Sequence, residues 1–312
     1  MREEIRRVNE ALDELGDITK AYVSKDHPQV IPCHVWDMER VEPCQLPDIP
    51  EDLPHLAGAG LDRDLLDEET QIIKLAALDH VLIGLTNKGH VLRFNRLEDE
   101  ATYRHGHWEY LPYFSELDKV SEHPVFSVGR LAPPSKMHIT HVSASFETFT
   151  AYSTGPESVV LMSRTQTSNL GTQTLMQPHL KPTIIPSLQY RNVISVLLGD
   201  YHYGALTATG KLLTWGAFSK GALGLGDPAN IDAGQPGGYH VKKQHPTTWR
   251  HRRLEDDEST PPDVRDPTEV HFNHGTEHKG KHAHVFAAAA AGWHMGALVI
   301  DLQQDASERD SL

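Results

Sequence analysis

Residues 196–226 read VLLGDYHYGALTATGKLLTWGAFSKGALGLG, a strand–turn–strand–turn unit whose outline recurs, more weakly, elsewhere in the chain. Recurrence of a short sheet-forming unit marks stacked small sheets, each too small to bury its flanks alone. The residue types fit that geometry. Gly210 lets the central turn take a positive φ. Ala205 is small enough for close sheet approach near an axis, and Leu206, on the opposite face of the same strand, is placed to pack against the next sheet. Trp215 can cover the wider outer part of the sheet. Gly221 to Gly226, GALGLG, supplies a compact glycine turn.

With Val196, Gly199, His202, Ala205, Leu206, Thr207, Gly210 and Trp215 as a template, three further units align. One places Val142, Ser145, Thr148, Ala151, Tyr152 and Ser153 at the first six positions, with Gly155 in its turn. Another, IIKLAALDHVLIGLTNKGHVLRF from Ile72, keeps Thr86, Gly89 and Phe94 but has Leu78 and Val81 in place of glycine and histidine. The last, HVFAAAAAGWHMGALVIDL from His284 to Leu302, supplies His294, Ala297 and Leu298, with Gly292 one position displaced. The anchors fall at residues 81, 148, 202 and 294. Such unequal spacing suits a β-propeller, whose blades shed insertions as loops. Five consecutive alanines, Ala287 to Ala291, favour helix by propensity, but their place in the repeat predicts strand and turn.

Gly199-x-x-His202-x-x-Ala205-Leu206-Thr207-x-x-Gly210, followed by Trp215-Gly216-x4-Gly221-Ala222-Leu223-Gly224-x-Gly226, resembles the repeat of the regulator-of-chromosome-condensation propeller family. Ala222 departs from the glutamine usual there. The divergent blades, long insertions, acidic charge and the WEYLPYF segment (Trp108 to Phe114) most resemble fungal F-box proteins related to SCF-associated factor. That resemblance implies a propeller that captures a protein substrate for ubiquitin ligation, with a Skp-family adaptor bound only through an F-box that this chain lacks. A guanine-nucleotide exchange or chromatin-associated regulator is the alternative implication. The family fold implies seven blades. Three and a partial fourth are found, so an all-β, C-terminal portion of a propeller is expected, with a short N-terminal helix and long inter-blade insertions.

Outward from the repeat, the expected organisation is an amphipathic helix over 1–24, a Pro- and acid-rich loop over 25–71, blades over 72–302 with an insertion at 228–281, and a polar tail at 303–312. Ile5, Val8, Leu12, Leu15 and Ile18 carry the helical spacing. The insertion, with its PGG, PP and acidic runs, reads as surface loop. Trp36, Trp108 and Tyr113 stand out as aromatic anchors for a partner.

Forty-three acidic against 29 basic residues give a formal charge of −14, which disfavours nucleic-acid backbone and anionic membrane. Two cysteines, Cys33 and Cys44, fit a reducing cytoplasmic or nuclear setting. No stretch approaches a membrane-spanning apolar run. Catalysis finds no foothold. Gly221 to Gly226 lacks the Lys-Ser/Thr of a phosphate loop, and no serine sits in a nucleophile elbow. His271, His274, His278, His282 and His284 are the best metal candidates, but they are irregularly spaced and without cysteine. His202 and His294 are repeat-equivalent and expected to be structural. No enzyme, cofactor or metal is anticipated.

Overall fold

The computed structural model describes residues 49, 69–78, 81–94, 106–129, 131–163, 180–217, 221–239, 261–272 and 282–302. All belong to the larger of two compact units, Pro47–Leu312. The expected helix over 1–24, Trp36, both cysteines, His274, His278 and the tail at 303–312 lie outside the described residues.

The described strands form four antiparallel sheets. The first runs β1 (Ile72–Leu78), β2 (Val81–Thr86), β3 (Val91–Phe94), β4 (Trp108–Tyr110). The second runs β5 (His141–Ser145), β6 (Thr148–Tyr152), β7 (Val160–Met162). The third runs β8 (Val193–Leu198), β9 (His202–Thr207), β10 (Leu212–Gly216), β11 (Val264–Glu269). The fourth has only β12 (His282–Ala291) and β13 (His294–Leu302). A 3-10 turn at Pro112–Phe114 and two short helices, α1 (Leu117–Ser121) and α2 (Pro124–Ser127), bridge the first and second sheets. Every repeat anchor (Val81, Thr148, His202, His294) opens the second strand of its sheet. The leading strands β1, β5, β8 and β12 are successive neighbours. The arrangement is an open, partial β-propeller.

Three apolar layers hold it together, one between each pair of adjacent sheets. Val81, Ile83, Leu85 and Val91 of the first sheet meet Phe149, Ala151 and Leu161 of the second, with Val120 and Phe126 of the helices filling the margin. The opposite face of the second sheet, Tyr152, Val160 and Met162, meets Val196, Leu198, Tyr203, Ala205 and Trp215. Leu197, Leu206 and Leu212 on the third sheet's other face meet Val285, Ala288, Met295, Ala297 and Val299. The period-two alternation of each strand thus feeds two different cores, and Leu206 packs toward the next blade as its position predicted.

Two expectations bear on local structure. The alanine run is strand: Ala287–Ala291 pair with His294–Leu298 of β13. The need to cover the third sheet overrides helical propensity. The insertion, in contrast, is not wholly loop. Val264–Glu269 within it forms β11, pairing with Leu213 and Thr214 as the fourth strand of the third sheet, with Val264 and Val270 buried. Pro267 lies inside this strand, at the sheet's outer edge, the position where proline is tolerated.

The turns that lead into the third strands share one construction. Thr207 N–H donates to the Lys211 carbonyl at 2.9 Å, Gly210 N–H to the Thr207 carbonyl at 3.0 Å, and Lys211 N–H to Thr207 Oγ1 at 3.1 Å. Thr86, Gly89 and His90 repeat all three bonds. Both glycines have positive φ, +76° and +82°, and both touch the next blade: a Cβ on Gly210 would overlap the His284 ring, and one on Gly89 would overlap His138. Val285 N–H donates to the Gly210 carbonyl at 2.9 Å, clipping the third sheet to the fourth.

Candidate interaction surface

The second, third and fourth sheets each enter their second strand through a tight turn, and they repeat the same strand order, so these turns gather at one end of the propeller. All three carry an exposed aromatic. Phe146, between β5 and β6, is 57% exposed; Tyr201, between β8 and β9, 51%; Trp293, between β12 and β13, 58%. Tyr201 and Trp293 precede His202 and His294 by one residue, so the repeat itself brings them side by side. Their ring centroids are 5.3 Å apart at 56°.

The supporting backbone is fixed. Asp200 N–H donates to the Gly292 carbonyl at 2.9 Å, and Ala217 N–H to the Tyr201 carbonyl at 2.8 Å. Beneath the pair, the His202 ring lies 3.2 Å from the His294 carbonyl through Nε2, tying the two anchor positions together. Burial holds the His202 pKa below the ordinary histidine value, against the opposing pull of that carbonyl bond. A neutral ring donates from Nε2 to the carbonyl and leaves Nδ1 without a partner. Gly199 gives this ring its space, since a Cβ there would overlap it. Phe146 is held in the left-handed region at φ +49°. For a bulky residue that conformation is costly and persists only where its surroundings impose it. Glu147 and Asp200 flank the aromatics and give the surface an acidic cast.

The other positions singled out by sequence take places within the blades. Thr207 and Gly210 build the turn described above. Leu206, Ala205 and Trp215 are core, and the Trp215 ring packs on Tyr203 at 5.7 Å. Gly216, at φ +109°, faces the Tyr201 carbonyl, where a Cβ would clash. Gly221, Gly224 and Gly226 all have positive φ, and the carbonyl of the intervening Leu223 accepts from Thr214 Oγ1 at 2.6 Å.

The partner anchors need correcting. Trp108 is 1% exposed; its ring packs tilted at 60° against Phe94, centroids 5.2 Å apart, and covers Gly84, whose missing Cβ leaves the room. It builds the first blade and offers nothing to a partner. Tyr113 is half-buried with Lys181 Nζ 5.1 Å from its ring centre. Trp36 lies outside the described residues. Sequence reasoning missed Phe146, Tyr201 and Trp293, although the residues just before each anchor were there to compare. Among the described residues no cluster of three or more metal-ligating side chains occurs.

No family model and no curated protein matches the chain. Solved structures do. The chain is similar to Prp20p from Saccharomyces cerevisiae, a structure described together with its binding to Gsp1p and histones, at 14% identity and TM-score 0.40 over 75% of this chain and 44% of that one. It is similar to human WBSCR16 at 17% identity and TM-score 0.37, over 74% and 45%. It also matches a structure of Kap60 bound to yeast RCC1 (Prp20) at 12% and 0.38, over 74% and 54%. The chain spans about half the length of each of these three structures. At these identities the likeness is one of fold alone. These structures concern Prp20p with Gsp1p and histones, WBSCR16, and a Kap60 complex, so the expected ubiquitin-ligase adaptor role, with its F-box kinship and Skp-family partner, is withdrawn.

Proposed function

We propose that this chain is a non-enzymatic recognition module of the guanine-nucleotide exchange or chromatin-associated regulator kind, binding a protein through the propeller end that bears Phe146, Tyr201 and Trp293. The observation that carries the proposal is the Tyr201–Trp293 pair: two large aromatics, half exposed, fixed by inter-blade hydrogen bonds. Tyrosine and tryptophan dominate binding hot spots because they bury much area at little cost in side-chain freedom. The flanking Glu147 and Asp200, with the formal charge of −14, favour a partner with a basic surface over nucleic acid. A histone reaches such a surface through its protein part, and a small GTPase through a basic rim.

The test measures two activities of the whole chain: binding of core histones, and acceleration of nucleotide release from a small GTPase. One of them is expected, weakened at least tenfold when Phe146, Tyr201 and Trp293 are all replaced by alanine, with the far-ultraviolet spectrum unchanged. Absence of both activities, or full activity in the triple variant, overturns the proposal.

A further inference from the structure

We propose that His202 is an acid-sensitive latch on the aromatic end. Neutral, it ties the turn of the fourth blade to that of the third and keeps Tyr201 and Trp293 paired; protonated, it lets them part. As a control on binding, the latch rests on the reading of that end as the partner surface. Its geometry comes from the repeat. Asp200 N–H donates to the Gly292 carbonyl at 2.9 Å, and His202 Nε2 meets the His294 carbonyl at 3.2 Å. Tyr201 stands between the two donors and Trp293 between the two acceptors. The same two bonds across the blades thus bracket both rings, whose centroids lie 5.3 Å apart.

The His202 ring has no place for a second proton. The residue is fully buried, and its Nδ1 has no partner. Gly199 donates its N–H to the His202 carbonyl at 2.8 Å and leaves the ring its space, while Gly216 pairs with His202 on β10. Neither brings a side chain. Among the described residues, the charged and titratable groups that face the ring are Asp200 in its own turn and His294 on β13. Protonation at Nδ1 therefore makes a buried donor without an acceptor and a buried cation with one carboxylate near it. Such groups are costly to keep from water. Parting the two turns at the His294 carbonyl relieves both.

The closed latch binds that proton more weakly than the open one. Burial lowers the His202 pKa from its ordinary 6.5, the His294 carbonyl and Asp200 oppose the shift, and the His294 ring adds to it. With the turns parted, the ring meets water and regains the ordinary value. The latch is therefore at full strength above pH 6.5 and loosens as pH falls below it. Histidines that titrate in this range are a recurrent means of switching interfaces. A partner seated on the paired rings is held near neutrality and released in mildly acidic surroundings.

The test follows the ring–ring contact in the full chain with no partner present. Nuclear Overhauser contacts between Tyr201 and Trp293, and the shift of the His202 Cε1 proton, are recorded between about pH 7.5 and 4.5. The contacts should be lost in step with the titration of His202. In His202→Gln, whose amide nitrogen keeps a neutral donor in place of Nε2 and which retains His294, they should persist to the acid end. Asp200→Asn, which removes the charge that favours the protonated ring, should move the loss to lower pH. Contacts that outlast His202 protonation, a ring that takes no proton before the chain unfolds, an equal loss in His202→Gln, or a loss that Asp200→Asn leaves in place or moves to higher pH overturns the proposal. At the acid end, whichever of the histone and GTPase partners binds should bind the unaltered chain at least tenfold more weakly than His202→Gln, and equal binding overturns the control of that surface. Failure of both partner assays removes the binding role and leaves the latch to be decided by the ring contacts alone.

Discussion

His90 shows how one side chain records the packing of two blades. It follows the Gly89 turn, with its ring edge-on to Tyr110 at 5.7 Å and its Nδ1 3.5 Å from the Tyr110 hydroxyl. Burial, then the nearby Lys88 and His138, push its pKa down from 6.5 to about 4. Between those values the unfolded chain takes up a proton that the folded chain refuses. Stability is therefore full above pH 6.5 and lost as pH falls toward 4. Urea midpoints measured from pH 7 to 4 should fall less steeply in His90→Gln than in the unaltered chain, which isolates this group from His123, His141 and His202, whose pKa values burial also lowers. At this scale sequence was a mixed guide. The positive φ of Gly210 was legible, because a tight turn at that point favours the residue without a Cβ. Trp108 was not: its burial depends on Gly84, which is distant in sequence and becomes adjacent only once β2, β3 and β4 pair.

The turn between β9 and β10 works as a clip, and its strength is measurable. Gly210 combines a φ of +76° with direct contact on the His284 ring, whereas Gly155, at φ +99°, has nothing within 4 Å of its absent Cβ. Gly155→Ala carries only the backbone penalty, about 1–2 kcal/mol. Gly210→Ala adds the steric one and should cost about 1 kcal/mol more. In the background His284→Ala that excess should vanish, a coupling that a double-mutant cycle reads from chemical denaturation. The second strands of the first three sheets were legible, each beginning at its anchor, because they are buried on both faces and the burial demands the pattern; β13, half exposed, was legible from its likeness to β9. β11 was invisible for the opposite reason: an outermost strand rests on Val264, on backbone bonds and on the surface pair Glu269–Lys211, none of which imposes an apolar pattern.

At the level of the whole molecule, the main contacts among the described sheets are between neighbours, so stability is a chain of pairwise couplings rather than one cooperative block. The third apolar layer contributes mostly alanine and single aliphatic groups from the fourth sheet, while the first has Phe149, Phe114 and Phe126. Amide hydrogen exchange should therefore open β12 and β13 at lower free energy than β2 and β6, in separate steps. One opening energy shared by all four sheets would contradict this. The number and order of blades were legible because repetition is a global signal. The aromatic end proposed for binding was not, since it arises only when equivalent turns from distant residues are brought together.

The alanines of β12 have one more consequence. Ala287 to Ala291 present identical methyl groups to β13, so displacing the strand by two residues would exchange like for like and leave the same face buried. The bulge between Val285 and Ala287 and the turn at Gly292 are what forbid that slippage. The innermost strand of the last blade is held in phase by its two ends, while its middle is mute.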